Sequence, residues 1–418
     1  MRRQLPFRSQ PLFVALCLVL SLLSLRSRAD DTLPSTELVS GQLAGIQAEK
    51  ESLDGSFPGL LLTVRAHDPI FDTRYHQPYR ASCCVYVARK PSGSGGGGVT
   101  AYSRRFVVHV PDAEALPTAK RVARLLLLLQ GEVHSHLRVD HPGRYQTVDV
   151  WLTRRVERGL SPDTAGEQFK DQIYLYDLSA SRRAVEWARE TAHEYGHFAL
   201  VPGAMGFTAP ESDSNGVLGE RLFLKWLWAD LHAGRVSAEA LPFLTPDLLD
   251  TYVALQVTPL LRQIAHQAPD ARQLARRDAE GMDYYTGLML YLDTLYGSRQ
   301  LQDIRACTLP AQAGEFVHAP DFLRGAVQSL TEAPAEALHF TGLSADNKTA
   351  VIIAYLPRGE YALHTEGVID SWQAADSGLH AGSRTSLSVA QSGWHRLALT
   401  LTAPPDTATV LHLRRLSK

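Results

Sequence analysis

The chain has 418 residues, 45% of them hydrophobic and 21% charged, which is enough apolar side chain for more than one core. Its 42 Lys and Arg are balanced by 44 Asp and Glu, for a formal charge of −2. With no basic excess and with pairs such as Arg104-Arg105 and Arg182-Arg183 scattered along the chain, nothing points to a nucleic-acid partner.

Arg2, Arg3 and Arg8 precede an apolar run from Pro11 to Leu25, and Ser27-Arg28-Ala29 places small residues where a signal peptidase reads them. This predicts a secretory signal over 1–29, with an uncleaved anchor as the other reading. The run is short for a membrane span and none of spanning length follows. The mature chain is therefore expected to be exported, to the periplasm or the extracellular space, without stable membrane insertion. An oxidising compartment permits one disulfide between Cys307 and either Cys83 or Cys84, and all three also read as small buried hydrophobes.

Residues 30–58 read as a polar lead-in segment. Strand patterns rich in Val, Leu and aromatics then occupy Leu60–Val64, Cys84–Val87 and Phe106–Val110, with a flexible glycine loop at Ser92–Gly98. Ala119–Leu137 predicts a helix whose apolar middle, Leu125–Leu129, is buried against a sheet. His134 and His136 at its end do not share a helical face and read as capping or exposed. Val148–Leu152 and Ile173–Leu178 are the next strands, the second expected at the sheet edge, with a loop through Gly159, Pro162 and Gly166 between them. Ala184, Val185, Ala188, Ala192 and Tyr195 recur at helical spacing, with Ser179 or Ser181 as the cap.

That helix carries His193-Glu194-Tyr195-Gly196-His197, an H-E-x-x-H pattern. On a helix the two histidines lie one turn apart on one face and can reach a single metal ion, while Glu194 beside them can take a proton. A catalytic zinc needs a third protein ligand. The candidate is Glu220, in the first turn of a helix predicted from about Gly216 to Leu231, after a break at Pro202, Gly203, Gly206 and Pro210. Glu211 and Asp213 are its loop-borne rivals. Further helices are predicted at about 246–266, 282–296 and 320–330. From 336 the signal changes to short strands, among them Val351–Tyr355, Tyr361–His364, Ser386–Val389, Leu397–Leu401 and Val410–Leu413, which predicts a small β-sandwich. Asn347-Lys348-Thr349 is formally a glycosylation acceptor.

The His193-Glu194-x-x-His197 pattern, followed by Gly219-Glu220 on the next helix, resembles the gluzincin zinc metallopeptidases, nearest to the aminopeptidase-N-like and thermolysin-like catalytic domains. The resemblance implies an α+β fold. A zincin-like N-terminal subdomain over 59–200 would be followed by a helical subdomain over 201–335 and an accessory β-module over 336–418. It also implies zinc as cofactor, His193, His197 and Glu220 as its ligands, and Glu194 as general base in peptide-bond hydrolysis. Tyr284-Tyr285-Thr286-Gly287 is similar to the Tyr-x-x-Gly helix of the aminopeptidase-N-like branch, which implies Tyr284, with Tyr285 next to it in rank, as the phenol facing the oxyanion. The Gly-x-Met-Glu-Asn segment that grips a free amino terminus in that branch is absent, so endo- and exopeptidase action both stay open. The expectation is an exported zinc metallopeptidase acting on a peptide or protein. The alternatives are a binding or scaffold protein that keeps the zincin fold and works through its β-module, and a zinc hydrolase acting on a non-peptide amide.

Overall fold

The structure is a computed structural model that describes residues 60–88, 102–139, 147–153, 165–176, 178, 182–200, 214–308, 317–340, 349–367, 369–374, 379–383, 385–402 and 409–416. The predicted signal, the lead-in segment, the glycine loop, Ser179, Ser181, Glu211, Asp213 and Asn347 lie outside the described residues. Among the described residues, no helix is long and apolar enough to cross a membrane.

The first half is built on a mixed six-stranded sheet. Its strands are β1 (Leu60–Phe71), β2 (Pro78–Ala88), β3 (Tyr102–Val110), β4 (Val148–Leu152), β5 (Gly166–Phe169) and β6 (Gln172–Leu175), in the order β1-β2-β3-β4-β6-β5. The first three run antiparallel, β3 to β4 and β4 to β6 are parallel, and β5 returns antiparallel at the edge. The edge is thus β5 rather than the expected β6. Its four residues are all only half-buried and carry no apolar run, so the strand has no period-2 signal to read.

Parallel pairing of β3 with β4 requires a crossover, which α1 (Leu116–Leu137) supplies. Pro117 suits its first turn, and Arg138 in the left-handed region at φ 54 ends it. Leu125 to Leu129 are all buried. This helix packs on β2 and β3 and is also covered by three other helices, so an unbroken leucine run meets protein on every side. Each such leucine contributes about 1.5–3 kcal/mol by leaving water.

Four of the remaining helices follow expectation closely: α2 (Ala184–Ala199), α3 (Ser214–His232), α7 (Ala279–Cys307) and α8 (Ala319–Glu332). The cap of α2 is Arg183, closed by Glu186. The predicted 246–266 helix is instead α4 (Pro246–Tyr252), one π-helical turn (Val253–Val257) and α5 (Thr258–Ala265), followed by the short α6 (Ala271–Leu274). Pro259 has no N–H to give the Leu255 carbonyl, so the helical ladder widens there. Within α7, Gly297 at φ 77 breaks the helix just after the predicted end at Tyr296.

The last strands form two antiparallel sheets. The first, in the order β10-β13-β8, contains β8 (Thr349–Leu356), β10 (Ile369–Ala374) and β13 (Gly393–Leu401). The second, in the order β11-β12-β9-β14-β7, contains β7 (Ala337–His339), β9 (Gly359–Glu366), β11 (Leu379–Ser383), β12 (Ser386–Val389) and β14 (Val410–Arg415). This β-region is tied to α7 by phenols. The Tyr291 hydroxyl donates to the Ile353 carbonyl at 2.9 Å and accepts from the Ile353 N–H at 2.8 Å, and the Tyr296 hydroxyl accepts from the Tyr355 N–H at 2.8 Å. Both tyrosines act on β8, an edge strand whose outer backbone groups would otherwise lie unpaired. The described residues accordingly form one compact unit. Among the described residues no disulfide is formed: Cys83 and Cys84 are buried on β2, and Cys307 lies half-buried at the end of α7.

Candidate metal centre

The pentapeptide occupies the last two turns of α2, and its two faces have opposite tasks. Tyr195 points into the core, 1% exposed, between Phe106 and Phe223 with ring centroids 5.9 Å from each. His193 and His197 point the other way, their rings 5.1 Å apart and inclined at 72°. Both Nε2 atoms turn to the same spot over Gly216 of α3. A Cβ built on Gly216 would fall 2.5 Å from Nε2 of His197 and would also collide with Nε2 of His193. The space between the two nitrogens is therefore walled by backbone and needs glycine at 216.

Glycine also sets how closely the two helices meet. A Cβ on Gly196 would fall 2.7 Å from the Asn215 carbonyl oxygen and 3.0 Å from the Gly219 Cα, and one on Gly219 would strike the Gly196 Cα. The Gly in His-Glu-Tyr-Gly-His and the Gly216-x-x-Gly219 pair of the next helix are thus one backbone-to-backbone crossing. The H-E-x-x-H pattern leaves position 196 unspecified, and here it decides whether α3 can reach the histidines.

Glu194 is 4% exposed and lies under the sheet edge. A Cβ on Gly166, the first residue of β5, would fall 2.8 Å from both Cγ and Oε1 of Glu194. The edge strand therefore rests directly on this carboxylate. The next residue on that strand, Glu167, is fixed by Arg74 at 2.6 Å and by the hydroxyls of Tyr176 at 2.7 Å and Tyr75 at 2.9 Å.

Glu220 is also 4% exposed. Its Oε1 accepts from Arg189 Nε at 2.7 Å and from the Tyr252 hydroxyl at 3.0 Å, while its Oε2 stands 3.7 Å from Nδ1 of His193. Burial works against the charged form, but His193 and Arg189 outweigh it and hold the carboxyl down at about 2. Burial pulls His193 down, but Glu220, Glu194 and Glu190 reverse the balance and raise it. His197 is lowered to about 3, by burial and then by His193.

The structure thus brings His193, Glu194, His197 and Glu220 together, with Glu220 meeting His193 at Nδ1, the nitrogen that does not face Gly216. Tyr284 is 2% exposed, and its hydroxyl accepts from the Asp270 N–H at 2.9 Å, ahead of α6. Tyr285 packs against Phe322 with ring centroids 5.3 Å apart. The phenol that touches the site is Tyr252, at the end of α4, which no local pattern in the sequence singles out. Arg189 could have been found, since it lies one turn before His193 on the same face.

Two imidazole nitrogens converge over Gly216, with the ionised Glu220 behind them and the Glu194 carboxyl beside them, and that chemistry fits a divalent ion of the zinc type. No protein-family model matches the sequence, and no curated protein matches it significantly.

Proposed function

We propose that the protein is an exported zinc-dependent metallopeptidase with a zincin-like catalytic half and a sandwich-like β-module. The observation that carries this reading is the meeting of the His193 and His197 Nε2 atoms over Gly216, with the Glu194 carboxylate buried alongside under β5. His193 and His197 would hold the ion. Zinc, when bound, supplies Lewis acidity to the carbonyl and makes water a nucleophile near neutral pH.

The chain's own residues do the rest. Glu194 accepts the proton of the attacking water and passes it to the leaving amine. Its carboxylate is held against the backbone of β5, so the reacting carbonyl is brought to it from the sheet edge. An extended peptide can add to the same edge by backbone hydrogen bonds. Glu220, kept ionised by His193 and Arg189, favours a proton on Nδ1 of His193 and leaves Nε2 as the ligand lone pair.

The test is a Glu194→Gln variant assayed for zinc content and for cleavage of blocked and free-amino-terminus peptides. Zinc unchanged with cleavage reduced about 10²–10⁴-fold is the expected result. No cleavage by either protein would leave the scaffold reading, and cleavage by the variant at the wild-type rate would remove Glu194 from the role of base. Hydrolysis of simple amides but not of peptides would give the non-peptide reading.

A further inference from the structure

Among the described residues, one group of three His, Cys, Asp or Glu has its ligand atoms all within 4.8 Å of one another, and it is away from the pentapeptide: Glu132, His136 and Asp230. Glu132 and His136 are one turn apart on α1, and Asp230 comes from α3. We propose that these three side chains form a second metal site, which binds a divalent first-row cation through one imidazole nitrogen and two carboxylate oxygens and clamps α1 to α3.

Three observations support it. The first is an enclosed acceptor. Glu132 is 5% exposed and its Oε2 accepts no hydrogen bond, although Nε2 of His136 lies 3.3 Å away. The other acids have cations of their own: Lys225 donates to Asp293 Oδ2 at 2.5 Å, and Arg235 donates through Nε to Asp230 Oδ1 at 2.8 Å. Glu132 faces the imidazole and the Asp230 carboxyl. A cation between the two carboxyls would offset their mutual repulsion.

The second observation is the fixing of the imidazole. His136 is stacked on Trp226, ring centroids 4.2 Å apart and planes 7° apart. Its Nδ1 is hydrogen-bonded to the Ser298 hydroxyl and lies 3.9 Å from Asp293 Oδ1. Trp226 Nε1 in turn donates to Asp293 at 2.8 Å. A metal-bound histidine characteristically gives its second N–H to an oxygen, which sets the tautomer and aims the other nitrogen. Ser298 follows the break at Gly297, so the broken helix is what delivers that oxygen.

The third is spacing. Ligand atoms on a tetrahedral ion with bonds of about 2.1 Å stand about 3.4 Å apart, and a separation limit of 4.8 Å is closed by small side-chain rotations. The sequence reading of His136 as capping or exposed is corrected here, whereas His134 is exposed as expected.

The test uses full-length protein stripped with a chelator, reloaded with Zn²⁺ or Mn²⁺ and measured by metal analysis and calorimetry. A double variant, His193→Ala with His197→Ala, should still bind one ion per chain. Adding Glu132→Gln or Asp230→Asn to it should lower that to none. Zinc at a hundredfold excess over its Kd should also raise the melting temperature by about 3 °C in the double variant, and Asp230→Asn should remove the rise. Should Glu132→Gln not fold, Asp230→Asn and His136→Asn, at less buried positions, give the same reading once circular dichroism shows native structure. Stoichiometry and melting temperature unaffected by these changes would overturn the proposal. Failure of the metallopeptidase reading looks different: wild-type protein would then bind a single ion, and that ion would depend on Glu132.

Discussion

The two metal-type clusters of this molecule are built in opposite ways. The pentapeptide puts both imidazoles on one helix and brings its acid, Glu220, in through three glycines that let a second helix touch the first. The Glu132, His136 and Asp230 group relies on bulky partners, with Trp226 stacked on the imidazole and Asp293 and Ser298 behind it. The first cluster adjoins the edge strand β5, and the second lies where α1 and α3 meet, with α7 behind its imidazole. A carboxylate set beside two imidazoles at a sheet edge would suit turnover, and a group that ties helices together would suit a clamp.

Breaking the first cluster gives the largest effect. His193→Ala or His197→Ala should abolish peptide cleavage and remove one ion per chain while leaving the circular dichroism spectrum native; an unchanged metal content would separate the pentapeptide from metal binding. Next comes the glycine crossing. Gly219→Ala sets a methyl against the Gly196 backbone and should cost about 3 kcal/mol in chemical denaturation, with zinc affinity falling as α3 moves away. A loss below about 0.5 kcal/mol would show that the helices are not in such close contact.

Smaller effects refine the roles of single side chains. Glu220→Gln should weaken zinc binding about 10–100-fold and leave one ion per chain at saturating metal, as a residue acting through His193 does. Complete loss of the ion would make Glu220 a direct ligand, as the family resemblance implies. Tyr291→Phe removes the phenol that pairs both backbone groups of Ile353 and should cost about 1–3 kcal/mol, read in the same denaturation experiment. Tyr284→Phe should be the mildest, with cleavage within about twofold of wild type, because the Tyr284 hydroxyl serves Asp270. A fall in kcat of a hundredfold or more would restore its place at the oxyanion.

The difference between the clusters is also a difference in legibility. His193, Glu194 and His197 can be read because a helix turns spacing in the sequence into a shared face. Glu220 can be read from the glycine before it, but not its orientation toward Nδ1, which Arg189 and Tyr252 set from elsewhere in the chain. The second cluster is half visible, since Glu132 and His136 stand one turn apart. Asp230 joins them only because α1 and α3 pack together, and no periodicity reports that. The same holds for the fold. Long apolar strands and α1 show their pattern, while β5 is too short and too polar to do so, and the π turn before Pro259 depends on one missing N–H.

The central claim is that a metal sits where the two Nε2 atoms meet. Anomalous diffraction at the zinc edge from crystals of the zinc-loaded full-length protein tests it most directly. The account predicts a peak about 2.0–2.1 Å from Nε2 of both His193 and His197, over Gly216. A zinc-loaded crystal with no peak there, whether or not one appears beside Glu132, would contradict it.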